Sequence, residues 1–387
     1  MQKVEIQPKI KFDSNLSSNT AVVRANVNIA LIKYWGKRNE DLILPYTSSL
    51  SLTLSDLWTT TSVSFDDNLT EDCVTFDGKN LSLDDSSFRR IVNMLDLVRK
   101  MAGISKKASV ISTNHVPTAA GLASSASGFA ALAAASSYAA GLELSSRDLS
   151  RLARRGSGSA CRSVYGGIVL WHAGSVDNSV DTSSGASAGD ASGDETSFAE
   201  PVDVPEDFDI AMIAVVLDSS KKSISSRDAM RRTVQTSPSY MPWVEQSAKD
   251  LRQALCAVKS SDIEMLGDAV ERNSFGMHKS MRDAVPSVDY LTAKTHAVLG
   301  VVKSMRDCGW PVWATMDAGP NVKVITSASA AERVLNELVD RVKREFALDA
   351  SSSASSSVSS SISASEPDFI LAFPGSGLIV NRGVKND

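Results

Sequence analysis

The sequence is short of the residues that mark several common protein classes. Its 387 residues include four cysteines, Cys73, Cys161, Cys256 and Cys308, widely spaced and without a C-x-x-C pair. That spacing excludes a disulfide framework or thiolate zinc site as an expectation, and scattered thiols suit a reducing compartment. The four histidines, His115, His172, His278 and His296, are equally isolated, so no histidine metal site is expected. There is no basic surplus: 40 Lys and Arg face 45 Asp and Glu, whereas a nucleic-acid binder normally carries basic excess. A phosphorylated ligand must then be met by local cations and backbone N–H groups. No apolar run approaches the roughly 18 residues of a membrane helix. The segment MQKVEIQPKIKFDSN lacks the apolar stretch of a signal peptide, and VKND is not a peroxisomal tripeptide. The expectation is a cytoplasmic protein with neither membrane nor nucleic-acid partner.

What the chain does hold is ordinary globular material. Hydrophobic residues make up 43% and charged residues 22%, enough to bury a core in each of two lobes at this length. AVVRANVNIALIK (21–33), LSLTLSD (50–56), TTTSVSFD (59–66) and ASVISTNHV (108–116) read as strands, with a hairpin turn at Asp77-Gly78. FRRIVNMLDLVRKMAG (88–103), FAALAAASSYAAG (129–141) and SRDLSRLARRG (146–156) read as helices. Further strands are expected at 165–174, 209–218, 311–318, 321–328 and 369–380. Residues 240–308 look helical, broken at Gly276 and Pro286, and 330–347 is strongly amphipathic. Two low-complexity tracts, 174–197 and 350–365, read as a surface insertion and a linker-like loop. Strands and helices come in runs, which is an α+β pattern.

Five segments carry chemistry. PTAAGLASSASG (117–128) is a small-residue loop leading into a helix N-terminus, where short side chains, hydroxyls and free N–H groups suit an anion. The same composition also suits close packing of the next helix, and the loop lacks the G-K-[ST] of a Walker A motif. KYWGKR (33–38) sets three cations around two aromatics; in a strand, Lys33, Trp35 and Lys37 would share a face. RRGSGSACRS (154–163) offers Arg162 behind a glycine-serine turn, suited to bidentate binding of a carboxylate or phosphate. MDAGPN (316–321) puts Asp317 at a strand end, and SSKKSISSRDAMRRTVQTS (219–237) is polar and basic. Each also has a bland alternative: a solvated charge run, a mobile loop, a turn aspartate or an exposed helix start. Together they suit phosphoryl transfer to a small anionic alcohol, where positioning and charge stabilisation dominate.

PTAAGLASSASG resembles the ATP-binding motif P-x-x-x-G-L-x-S-S-A of the galactokinase, homoserine kinase, mevalonate kinase and phosphomevalonate kinase superfamily. Within it, VNIALIKYWGKR, PTAAGLASSASGFAALA, RRGSGSACRSVYGG and MDAGPNV resemble the diphosphomevalonate decarboxylase family, in order across residues 26–323. The resemblance implies a two-lobed fold, ribosomal protein S5 domain 2-like over 1–200 and ferredoxin-like over 201–387. It implies ATP and Mg2+, and decarboxylation of (R)-5-diphosphomevalonate to isopentenyl diphosphate by a homodimer in isoprenoid and sterol biosynthesis. Catalytic roles would fall to Asp317, Lys33 and Arg162. Substrate would meet Tyr34, Trp35, Gly36, Lys37, Ser157, Gly158, Ser159, Ala160, Cys161, Thr236 and Ser237. ATP would meet Pro117, Ala119, Ala120, Gly121, Leu122, Ala123, Ser124, Ser125, Lys221 and Lys222, with no protein-built metal site. Asn26 stands where the family has a proline, which is expected to alter only the start of the strand. A further substrate arginine of the family aligns near Ser87, leaving Arg89 and Arg90 as candidates. The rivals are a relative acting on monophosphorylated or unphosphorylated mevalonate, and a non-catalytic ligand sensor.

Overall fold

The computed structural model describes residues 17, 19–116, 124–175, 188–218, 224–353 and 366–382. The first half contains β1 (Thr20–Ile32), β2 (Lys37–Asn39), β3 (Leu44–Pro45), β4 (Ser49–Asp66), β5 (Cys73–Phe76) and β6 (Lys79–Asn80). It continues through α1 (Ser86–Ala102), β7 (Lys107–His115), α2 (Ser124–Ala139), α3 (Ser146–Gly156), a 3-10 helix (Gly158–Val164), β8 (Ile168–Trp171), α4 (Ala188–Thr196) and β9 (Ala199–Pro201). The second half runs β10 (Ala211–Val216), α5 (Ser226–Thr236), α6 (Tyr240–Lys259), α7 (Ile263–Arg282), α8 (Ala293–Asp307), β11 (Trp313–Met316) and β12 (Val322–Thr326). It closes with α9 (Ala331–Ser353), β13 (Asp368–Ala372) and β14 (Ile379–Arg382). The α+β expectation holds: a sheet ordered β14-β1-β4-β7-β5-β6, with β8 and β9 attached through β4, stands beside a four-stranded sheet β11-β12-β10-β13.

The long strand β1 ties the layers together. Its first half places Val23 and Ala25 against α1, α2 and α3, with Val63, Leu95, Ala131 and Leu132 in the same core. Alanine along α2 keeps that helix thin, so its backbone lies close to β1 and β4. The second half of β1 places Ile29 and Leu31 against Met212 of β10 and Ala254, Leu266 and Val270 of α6 and α7. A third core joins α8 and α9 to the smaller sheet through Val298, Val302, Val334 and Leu338. Between the two halves of β1 the register with β4 jumps from Asn26–Trp58 to Asn28–Thr53. Residues 54–57 of β4 therefore bulge, with Asp56 at φ 60°.

Several sequence expectations are corrected. The strands read at 50–56 and 59–66 are one strand, because the bulge at Asp56 bends β4 without ending it. Gly276 does not break a helix; it lies within α7, where a Cβ would stand 2.8 Å from Trp243 Cδ1. The segment 369–380 is two strands in different sheets, and the crossing residues fill the β4 bulge: Pro374 bridges Leu54, and Gly375 N donates to Thr53 O at 2.8 Å. Asn26 does more than start a strand, since its Nδ2 donates to Ser376 O at 3.0 Å in that crossing. The tract 174–197 is not wholly a surface insertion: residues 176–187 lie outside the described residues, but α4 is docked. Its anchor is Asp194, paired with Arg151 at 3.0 Å and with buried Arg154 at 2.5 Å. Composition hid this, because one carboxylate facing an arginine row needs no apolar core. Helix α9 runs on to Ser353, into the serine tract, of which 354–365 lie outside the described residues.

Candidate active site

Two strand ends from different sheets meet at a buried ion cluster. Lys33 follows β1 and Asp317 follows β11, and Lys33 Nζ lies 2.8 Å from Asp317 Oδ1. Lys323 of β12 approaches the other oxygen, Nζ to Oδ2 at 3.2 Å. The lysine side chains are almost wholly buried, whereas a third of Asp317 stays exposed. Helix α7 sets this geometry. Asn273 Oδ1 accepts the Lys33 backbone N–H at 2.8 Å, and Ser274 Oγ accepts that of Met316 at 2.9 Å, so adjacent residues hold both strand ends. Asn273 is itself fixed by donating to Asp250 and Ser247, both at 3.1 Å. One turn on, His278 is buried, bonded to the Met316 backbone and kept neutral: burial first, then Lys33, push it down to about 4. Asp317 is held far below the ordinary carboxylate range, Lys33 and Lys323 together overcoming the opposing effect of burial.

Arg162 projects from the 3-10 helix and is 2% exposed. Its Nη1 donates to Ser49 Oγ at 2.7 Å and its Nε to Asn28 Oδ1 at 3.2 Å, leaving further N–H groups of the fork unengaged by these contacts. Asn28 is aimed by donating to Ser159 O at 3.0 Å and Ser163 Oγ at 2.7 Å. Arg162 forms no ion pair among the described residues, and a buried cation without a counter-charge is costly unless a ligand anion supplies one. Ser157 and Ser159 are half-buried on the same turn, and Gly158 is required there, because a Cβ would stand 2.9 Å from both Tyr34 and Trp171. Ala160 and Cys161 are buried and serve packing. The Cys161 thiol turns onto Gly158 O at 3.0 Å, and burial pushes it up to about 12.

Residues 33–36 are not a strand, so the face that Lys33, Trp35 and Lys37 would share in one does not form. Gly36 sits at φ 94° and turns the chain, with Trp35 buried and Lys37 carried on into β2. Tyr240 clamps the turn by donating from its hydroxyl to Trp35 O at 2.9 Å. A Cβ at Gly36 would lie 2.0 Å from that hydroxyl and 2.7 Å from Val234 Cγ2. Gly36→Ala is therefore expected to destabilise the fold by about 2–4 kcal/mol from overpacking and left-handed strain. A thermal melt within half a degree of the wild type would refute this. Tyr34 Oη and Trp35 Nε1 are buried with no hydrogen-bond partner among the described residues, an arrangement met at sites that receive a polar ligand.

Beside this turn lies a cavity of about 310 Å3 lined by Lys37, Arg90, Arg155, Arg227 and Arg231, with Glu40 and Asp41 also on its wall. Arg90, not Arg89, reaches it: Arg89 donates to Asp84 O, whereas Arg90 donates to Gly156 O at 2.8 Å and covers Phe129. Burial, then the like charge of Arg227, push Arg90 down to about 10, so these guanidiniums repel until an anion intervenes. Arg227 and Arg231 escaped the sequence reading, although their i, i+4 spacing on α5 was a usable signal. Thr236 and Ser237, expected at the substrate, are engaged at their own helix junction. Thr236 Oγ1 donates to Arg232 O and accepts Val285 N–H, and Ser237 Oγ pairs with Ser239 Oγ.

On the nucleotide side, Pro117, Ala119, Ala120, Gly121, Leu122 and Ala123 lie outside the described residues, as do Lys221 and Lys222. Helix α2 begins earlier than expected, at Ser124, so Gly128 is a helical residue rather than a loop hinge. Ser124 is half-buried and Ser125 exposed in the first turn. Ser127 is not a free donor; it is buried and pairs with Thr59 Oγ1 at 2.7 Å.

Comparison with known proteins identifies the family. A family model described as diphosphomevalonate decarboxylase-like N-terminal domain matches residues 25–185, and one described as mevalonate 5-diphosphate decarboxylase C-terminal domain matches residues 211–370. The chain is 34% identical to the diphosphomevalonate decarboxylase of Schizosaccharomyces pombe over 334 residues, covering 82% of this chain and 81% of that one. It resembles the mevalonate diphosphate decarboxylase structure from Enterococcus faecalis at 39% identity and TM-score 0.78, over 94% and 99% of the two chains. A solved complex with MVAPP, AMPPCP and magnesium is similar at 39% identity and TM-score 0.80, again over 94% and 99%. With both halves matched and the buried Lys33–Asp317 cluster in place, this chain belongs to the diphosphomevalonate decarboxylase family.

Proposed function

We propose that the chain catalyses ATP-dependent decarboxylation of (R)-5-diphosphomevalonate, releasing isopentenyl diphosphate, ADP, phosphate and CO2. The observation that carries this is the pairing of an ionised, partly open Asp317 with a buried Arg162 that lacks a counter-ion, next to a cavity rich in arginine. A substrate with a hydroxyl, a carboxylate and a diphosphate has one group for each.

The cationic cavity holds the diphosphate through Lys37, Arg90, Arg155, Arg227 and Arg231, with Tyr34, Trp35 and Gly36 shaping its edge. Arg162 orients the substrate carboxylate, aided by Ser157 and Ser159. Asp317 receives the hydrogen bond of the 3-hydroxyl. Held far below the ordinary carboxylate range, it aligns that hydroxyl and does not store its proton, which leaves with the product phosphate. Lys33 keeps Asp317 ionised. The 3-oxygen forms a bond to the γ-phosphorus as the bond to the ADP oxygen breaks. The C3–O bond then breaks with its electrons leaving on phosphate. The C1–C2 pair becomes the C2=C3 double bond, and C1 leaves as CO2. Buried surroundings favour that last step, because a poorly solvated carboxylate departs more readily as neutral CO2.

ATP enters as its magnesium complex. The first-turn N–H groups of α2, with Ser124 and Ser125, suit its phosphates, and 117–123 with Lys221 and Lys222 complete the proposed cradle. Among the described residues no three His, Cys, Asp or Glu side chains gather to hold a metal; magnesium would be carried on the ATP phosphates and would offset their charge. The proposed setting is a cytoplasmic homodimer in isoprenoid and sterol biosynthesis. No described helix is long and apolar enough to cross a membrane.

The test scores CO2 and ADP together for diphosphorylated, monophosphorylated and unphosphorylated mevalonate. Equimolar CO2 and ADP from the diphosphate is expected. Turnover of 5-phosphomevalonate but not of the diphosphate would overturn the assignment, and tight binding of the diphosphate with background ADP release would indicate a sensor.

A further inference from the structure

Resting on the role proposed above for Asp317, we infer that Lys323 is a second positioning residue of the reaction, pinning the carboxylate oxygen that Lys33 leaves free. The sequence motif ends at Val322, one residue short of Lys323. The structure engages both oxygens: Lys33 on Oδ1 at 2.8 Å and Lys323 on Oδ2 at 3.2 Å. A carboxylate held by one ammonium can rotate about its terminal bond; one held at both oxygens cannot. Lys323 has no surface role to explain it. It is 3% exposed on β12, between Val322 and Val324, in a strand whose five residues are all buried. Its other polar contact is a long one, 3.5 Å to Asn321 O.

The cluster is lopsided in charge. Around Asp317 stand Lys33 at the end of β1, Lys323 on β12, Arg162 on the 3-10 helix and the neutral His278 on α7. Three buried cations stand around one carboxylate, and only the two lysines pair with it. Such an excess is costly in a protein interior and is balanced when an anionic substrate arrives. Lys323 thus aims Asp317 before binding and adds positive charge facing the carboxylate and phosphoryl groups after it.

Removing Lys323 has a signature that a purely structural lysine would lack. Both lysines hold Asp317 so far below the ordinary carboxylate range that it stays ionised across the assay range when one is lost, and the acid limb of the rate profile does not report it. Lys33 is depressed by burial and then by the like charges of Lys323 and Arg162, against the pull of Asp317. With Lys323 gone it keeps its proton to higher pH, and the basic limb rises. The profile therefore widens on its basic side.

The experiment is the pH dependence of kcat for Lys323→Met and for Lys323→Gln, which keeps a hydrogen-bond donor should the apolar variant fold poorly. The expected result is kcat lowered about tenfold, a KM for (R)-5-diphosphomevalonate within about threefold of wild type, and the basic limb moved to higher pH. Lys323→Arg, which keeps the charge, is expected to return the basic limb towards its original pH. Profiles of both neutral variants superimposable on the wild type would overturn the inference, as would a basic limb that stays raised in the arginine variant. Asp317→Asn, assayed alongside, separates the two ideas. If it turns over normally, the role of Asp317 fails; if it is inactive while the Lys323 profiles do not move, only the inference fails.

Discussion

Asp317→Asn is expected to lower kcat about a thousandfold, the scale associated with losing a proton-handling or charge-stabilising group. The change is nearly isosteric, so it tests charge and not packing. It removes the carboxylate shared by Lys33 and Lys323 and leaves two buried ammonium groups without it. The 3-hydroxyl then meets an amide that can donate as well as accept, and its alignment towards phosphorus is lost. Affinity for a non-hydrolysable ATP analogue is expected to stay within a few-fold, because Asp317 is not among the residues proposed to bind the ATP phosphates. Steady-state kinetics with equilibrium binding of the analogue checks both parts. Turnover within threefold of the wild type would remove Asp317 from the mechanism.

The second large effect is expected at Arg162. Arg162→Gln keeps a donor for Ser49 or Asn28 but loses the buried positive charge and the fork. A charge-assisted hydrogen bond contributes about 1.5–3 kcal/mol, so kcat/KM for the substrate should fall roughly 10- to 100-fold. The loss should appear in both KM and kcat, because the proposed role of the guanidinium is both to bind the carboxylate and to keep its C–C bond oriented for cleavage. Arg162→Lys is not expected to restore activity, since an ammonium cannot reproduce two parallel N–H donors. An unchanged kcat and KM in the glutamine variant would mean that the carboxylate is held elsewhere.

Sequence and structure agree best where a local pattern dictates a local outcome. Gly103 caps α1 at φ 66°, Asp85 caps its start, and the Asp77-Gly78 turn forms where expected. Lys33, Arg162 and Asp317 were identified because each lies in a short motif whose residue order survives folding. The misses share a different cause. Lys323 looked like any lysine near a strand, and only the pairing of β11 with β12 brings it to Asp317. Asn28 was part of a strand motif, but its work of aiming Arg162 spans 134 residues of chain. Arg227 and Arg231 read as an exposed basic run, because nothing local shows that α5 faces Lys37 and Arg90 across a cavity. The KYWG segment leaves the strand for a local reason that was visible: Gly36 permits a left-handed turn, after which Lys37 enters β2 and pairs with Glu40 at 2.5 Å.

The crossing from β13 to β14 bears on how the protein is made. Strand β1 is synthesised well before β14, yet its Ala21–Arg24 edge pairs with Ile379–Arg382. Until those residues leave the ribosome, one flank of the large sheet has no partner, an exposed edge of the kind that invites wrong pairing. The gap left at the β4 bulge and beside Gly166 also stays open, and Gly166 adjoins the 3-10 helix that carries Arg162. The nascent chain can thus bury most of its core before Arg162, the proposed carboxylate ligand, has the support of this crossing.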